Sequence, residues 1–260
     1  MKDYEELKFY DDFMFCRILQ ENEDLCKELM ELVIGRKIGS IVTTEKQKAI
    51  EITADGHGVR FDVYFEDDEK TVYDIEMQRS DTLELPLRSR YYQGMIDLDY
   101  LEKGNDYKRL PDSYIIFLCT FDAFGRGYHK YSFGPKWQEV DDLWLEDGTD
   151  RIFICAGGSL DDVSDDMKSL IDYITGKAAS SSLTSRIDTK VKEAIEKRLW
   201  RKQYMTLKEQ MDQEYLRGKE EGIDSTIEKM IASGSFTDEQ ICVATGKSMD
   251  YIISYRDKTK

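Results

Sequence analysis

The sequence predicts a mixed α/β domain of about 155 residues with a central sheet, followed by a helical region. Three observations carry that prediction. Segments with apolar residues at helical spacing alternate with short apolar or alternating runs of strand length. The order they take along the chain is helix, three strands, helix, strand, strand. After about residue 156 strand-like runs cease and charged helical patterns take over.

"YEELKFYDDFMFCRILQENEDLCKELMELVIG" spaces Phe13, Cys16, Ile18 and Leu19, then Leu25, Leu29, Leu32 and Val33, along one helical stripe, and Gly35 follows as a stop. The spacing predicts one or two helices ending near residue 34. Strand candidates follow at 38–53, 58–66 and 70–78, with the polar "EDDEK" making a hairpin of the last two. A helix is expected from Pro86 to Lys103, with proline in its first turn and Gly104 after its last. "DSYIIFLCTFD" is a continuous apolar run with polar ends, as in a strand buried on both faces, and "RIFICAG" is a shorter one.

Beyond these, "LDDVSDDMKSLIDYITG" reads as a helix and "KAASSSLTSR" as a connector. A long charged helix is expected from 186 to 220. In the tail, Thr237 and Gln240 form a capping-box start, and Gly246 and Ser248 turn the chain into "MDYIISYR". The expected divisions are 1–156, 157–222 and 223–260. Three short helices at the end resemble a helix-turn-helix or a small tail that packs or dimerises. "KSMDYIISYRDK" is a poor DNA-reading helix because it is not strongly basic.

Composition narrows function. No apolar run approaches the ~20 residues of a membrane helix, and "MKDYEELKFYDD" lacks the basic-then-apolar pattern of a secretory signal, so a cytoplasmic location is expected. The five cysteines form no C-x-x-C pair and read as reduced core thiols. Only His57 and His129 are present, which excludes a histidine-rich metal centre. Hydrolytic chemistry, if present, rests on carboxylates. The net charge of −16 opposes binding of nucleic acid by phosphate neutralisation alone. It is compatible with a metal-dependent enzyme, where divalent cations bring the positive charge.

The segment "GVRFDVYFEDDEKTVYDIEMQRS" concentrates the chemistry. Alternation puts Arg60, Asp62 and Tyr64 on one face of the first strand and Asp74, Glu76 and Gln78 on one face of the second. A turn centred near 68 or 69 sets Asp62 across from Asp74 or Glu76, with Cβ atoms ~4.5–5.5 Å apart. Like charges so placed need either solvent or a cation. A solvated hairpin face answers the first need, and a hard divalent ion the second.

The same segment resembles the D…(D/E)-x-K core of the PD-(D/E)XK nuclease superfamily. Within it, the chain is similar to the recombination-promoting nuclease and transposase family, which carries R-x-D-V, a turn, then I-E-x-Q. "YDDFMFCRIL" looks like that family's N-terminal D-x-x-F helix. "RSRYYQGMIDLDYLEKGNDYKRLPDSYIIFLCTFDAF" and the charged tail look like its later regions.

The resemblance implies a restriction-endonuclease-like fold and phosphodiester hydrolysis of DNA with Mg²⁺, or Mn²⁺ in its place. Carried over by position, Asp62 and Glu76 hold the metal with the Met77 carbonyl. Gln78 stands where the superfamily has a lysine that orients or activates water, and Asp12 is the outlying acid. Arg60, Arg88 and Arg90 are candidates for contact with the DNA backbone. Glutamine brings neither a base nor a positive charge. An alternative is therefore a weak or inactive nuclease fold serving as a DNA- or protein-binding module. A further expectation is a homo-oligomer formed through the C-terminal helices.

Overall fold

The computed structural model describes residues 2–45, 49–50, 59–101, 104–136, 138 and 143–258. Parts of the first predicted strand (46–48 and 51–53), Gly58, the last two residues of the helix predicted to reach Lys103, and His57 lie outside them. The chain forms two compact units, 2–197 and 198–260.

The first unit begins with α1 (Asp12–Glu21) and α2 (Glu23–Ile34). Gly35 ends α2 with φ 88°, a left-handed conformation that lets its N–H close on the Glu31 carbonyl at 2.9 Å. The strands are β1 (Ile41–Glu45), β2 (Ala49–Ile50), β3 (Val59–Arg60), β4 (Val63–Asp67) and β5 (Val72–Gln78). Next come α3 (Leu85–Tyr100), β6 (Ser113–Cys119), β7 (Lys130–Phe133) and β8 (Thr149–Cys155). The helices α4 (Asp165–Ile174) and α5 (Ser182–Ile195) complete the unit.

Six strands form one mixed sheet in the order β1-β4-β5-β6-β8-β7, and β2 pairs with β3 apart from it. β4 and β5 are the expected antiparallel hairpin, whereas β5, β6 and β8 run parallel. Parallel neighbours need a crossover connection, and α3 provides it between β5 and β6. The continuous apolar run of β6 is explained by burial: Ile115 through Cys119 are all inaccessible to solvent. On one sheet face α3 packs Tyr92, Met95 and Ile96 against Tyr64, Ile115, Phe117 and Phe153. This architecture is the expected α/β fold of the PD-(D/E)XK type.

Three elements differ from expectation. The strand predicted at 58–66 is broken at Phe61–Asp62, so Phe61 leaves the face of Val63 and packs edge-on to Tyr92 at 5.2 Å on the α3 side. β7 is an edge strand with a half-exposed pattern, and its few apolar residues gave no signal. The long helix predicted from 186 is two helices, α5 and α6 (Arg198–Ser233). α5 starts from a capping box between Ser181 and Thr184, inside the predicted connector. With α4 it belongs to the compact unit that ends at 197.

In the second unit, the end of α6 packs with α7 (Asp238–Thr245) and α8 (Met249–Lys258) around Ile227, Ile241 and Ile252. Thr237 and Gln240 make the expected reciprocal capping bonds, and Gly246 closes α7 in the left-handed region. Among the described residues no helix is long and apolar enough to cross a membrane.

Candidate active site

A buried carboxylate away from the chemistry sets the site's register. Asp67 Oδ1 accepts from the Glu69 and Thr71 amides at 3.0 and 2.9 Å, while Oδ2 accepts from the Gly39 amide at 3.2 Å and the Tyr73 hydroxyl at 2.9 Å. Lys70 takes the left-handed backbone (φ 69°) that this tight turn requires. The turn pairs Val63 with Ile75 and Tyr64 with Asp74. Extended by one residue, the register sets Asp62 opposite Glu76, one of the two partners left open by the alternation.

At that point ladder bonding gives way to side chains. The Asp62 amide donates to Glu76 Oε1 at 3.0 Å, and the Met77 amide donates to Asp62 Oδ2 at 3.2 Å. Each carboxylate thus accepts a main-chain N–H beside the other acid. The Asp62 carbonyl is held in turn by Gln20 Nε2 of α1 at 3.2 Å.

The acid face is not a solvated hairpin surface. Lying beneath α3, Glu76 is 4 % exposed and Asp74 is fully buried. Burial pushes the Glu76 carboxyl up to about 8, and the charge of Asp62 adds to the rise. Asp62 rises to about 6, again chiefly through burial, although the Met77 amide pulls it down. Asp74 is raised well above the ordinary carboxylate range by burial, then by Glu76 and Asp62. Asp74 is thus a fully buried acid set beside Glu76, and its carboxyl resists ionisation. Without a cation, the cluster keeps protons at neutral pH.

The other predicted residues divide by position. Gln78 and Arg88 join the cluster: Arg88 Nη1 donates to Gln78 Oε1 at 2.8 Å, and Nη2 approaches Glu76 Oε2 at 3.3 Å. Asp12 is exposed in the first turn of α1, yet surrounding protein withdraws enough water to raise its carboxyl. Its charge reaches Asp62 and helps to raise it. Arg60 is exposed, and its charge opposes that rise. Arg90, also exposed, lies two residues from Arg88 on α3, roughly 200° around the helix.

Sequence reasoning left two features out. Asp74 was only a neighbour on the acid face, and its isolation appears once α3 covers it. Arg79 donates to buried Asp11 at 2.7 Å and lies over the Tyr10 ring at 5.3 Å, tying the end of β5 to the start of α1. No local pattern announces a contact between residues 68 positions apart.

Among the described residues, no group of three or more His, Cys, Asp or Glu side chains is arranged to hold a metal. A cation here would be held by two carboxylates with main-chain and water oxygens, the sparse ligation that Mg²⁺ accepts. The donor chemistry fits: hard oxygens, and acids whose mutual repulsion a divalent charge would relieve.

A mixed sheet with flanking helices and paired acids at the end of a β-hairpin defines the class of PD-(D/E)XK-type α/β proteins. Residues 9–133 match the family model for PD-(D/E)XK nuclease family transposases. Proteins of this class generally use divalent metals. No curated protein and no solved structure matches the chain significantly.

Proposed function

We propose that this protein is a Mg²⁺-dependent DNA endonuclease that hydrolyses phosphodiester bonds, with Mn²⁺ able to replace Mg²⁺. The observation that carries this reading is the interlocked pair Asp62 and Glu76, a half-buried and a buried acid held together by each other's strand. The family-model match supports a nuclease- or transposase-related role and DNA as partner.

A bound divalent ion would activate a water molecule and neutralise charge on the scissile phosphate. Asp62, Glu76 and the Met77 carbonyl are the groups we assign to hold it. The Met77 amide fixes Asp62, and the Asp62 amide fixes Glu76, so both carboxylates are oriented before any ligand arrives. Gln78, where the superfamily has a lysine, has no basic group and brings no charge of its own. Asp12, exposed and near enough for its charge to raise Asp62, is the outlying acid, and Arg60 and Arg90 are exposed cations for the flanking DNA backbone. The free cysteines fit a reducing compartment such as the cytoplasm.

Nicking of supercoiled plasmid by wild type, Asp62→Ala and Glu76→Ala, in Mg²⁺ and in Mn²⁺, tests the assignment. Wild type should convert plasmid to open circles and both variants should lose the activity. Equal nicking by all three would place the chemistry elsewhere. Gln78 favours one second reading, a nuclease fold that binds DNA or protein without cleaving. A wild type inert in both metals supports it. Pairing of chains through the C-terminal helices is tested by light scattering of the full chain against one ending at Lys197, which should have the smaller multiplicity.

A further inference from the structure

We propose that Arg88 is the fixed cation of this acid site, supplying from α3 the positive charge that position 78 of the strand lacks. The inference rests on the nuclease reading above. Its basis is the way one guanidinium is held.

Arg88 lies in the first turn of α3 and projects across the end of β5. Nη1 donates to Gln78 Oε1 at 2.8 Å. Nη2 donates to the Tyr92 hydroxyl at 2.9 Å and approaches Glu76 Oε2 at 3.3 Å. The guanidinium carbon sits 5.4 Å from the Tyr92 ring centre and 5.6 Å from that of Phe117, both within cation–π range. Such a planar group, bound at its edge and bracketed by rings, has little rotational freedom. A lysine on a flexible stem could not be fixed in this way. The side chain is still 31 % exposed, so one side remains open to an incoming anion.

The state of Gln78 points the same way. Its amide oxygen faces Arg88 and its nitrogen donates to the Ser80 carbonyl. With both ends engaged, the amide is a spacer between strand and helix. The positive charge near the scissile phosphate therefore comes from Arg88, which keeps its proton at any working pH. Placed beside Glu76, it can stabilise negative charge that develops on a phosphate held there, the kind of electrostatic help worth ~10²–10³ in rate. The guanidinium contacts Glu76 Oε2 and the Gln78 amide oxygen at once.

The test compares full-length wild type, Arg88→Met, Arg88→Lys and the double variant Arg88→Met/Gln78→Lys. Thermal denaturation checks folding, and Arg88→Lys keeps a variant in hand should methionine unfold the chain. Plasmid nicking at saturating DNA is paired with Mn²⁺ binding measured by electron paramagnetic resonance without DNA. Arg88→Met should lower kcat by about 10²-fold. Its Mn²⁺ affinity should hold or tighten, because a like charge has left the site and Glu76 Oε2 is freed. Arg88→Lys should retain an intermediate rate. The double variant should recover about tenfold or more over Arg88→Met, since lysine on the strand restores a cation at the same phosphate.

Nicking by Arg88→Met within twofold of an active wild type overturns the proposal and leaves the nuclease reading intact. So does a parallel loss of Mn²⁺ binding and nicking, which would make Arg88 a clamp on the acids, or a double variant no faster than Arg88→Met. A wild type that binds Mn²⁺ yet nicks nothing in either metal overturns the nuclease reading, and the role of Arg88 falls with it.

Discussion

Raising the pH in the absence of divalent ions should weaken the protein through Glu76. Its carboxyl is lifted from an ordinary 4.5 to about 8, first by burial and then by the charge of Asp62. A group whose folded pKa exceeds its unfolded value binds more protons in the native state. Its stabilising contribution is therefore full below about 4.5 and is lost as the pH climbs through about 8. At ~1.36 kcal/mol per tenfold change the interval corresponds to a ceiling of about 5 kcal/mol. Relaxation and proton sharing among Asp62, Asp74 and Glu76 reduce the expected loss to about 2 kcal/mol. Glu76→Gln keeps the shape and the acceptor for the Asp62 amide but cannot ionise. Urea denaturation in EDTA at pH 5 and pH 9 should show wild type losing about 2 kcal/mol more than Glu76→Gln. Titrating groups outside the Asp62–Asp74–Glu76 cluster cancel in that difference. Equal pH dependence in the two would refute the reasoning.

Other predictions follow from the same contacts. Divalent-ion binding, followed by isothermal calorimetry, should tighten between pH 6 and pH 8, as protons leave Asp62 near 6 and Glu76 near 8. Asp74→Val removes a fully buried acid set among like charges and should raise metal-free stability by about 1–3 kcal/mol at pH 8; a loss of stability would mean that Asp74 has a role in the metal-free fold. Asp67→Ala is the opposite case, a buried carboxylate with four donors, and should cost at least about 3 kcal/mol in urea denaturation. A cost under about 1 kcal/mol would contradict the turn-setting role assigned to it.

Periodicity alone revealed much of this fold. Cys16, Ile18 and Leu19, then Leu25, Leu29 and Val33, are buried on α1 and α2 as their spacing required. The apolar run at 113–119 is a strand enclosed on both faces, and Pro86 and the residues after it form α3. Local patterns failed where the deciding interaction was distant. Buried positions 183, 187, 191 and 194 keep one helical phase, whereas 200 and 204 fall on another face. That phase slip is the trace of the break between α5 and α6, and neither glycine nor proline marks it.

The same division runs through the site. Two-residue alternation and a short polar turn already brought Asp62 to the acid face of the next strand, because strand geometry is local. The Asp67-clamped turn chose Glu76 as its partner. Only packing decided the rest. α3 closed over the hairpin, withdrew water from Glu76 and Asp74, and delivered Arg88 to Gln78. Sequence carries the identity and spacing of these charges. Their energies depend on what excludes water from them, and that is set by a helix arriving from elsewhere in the chain.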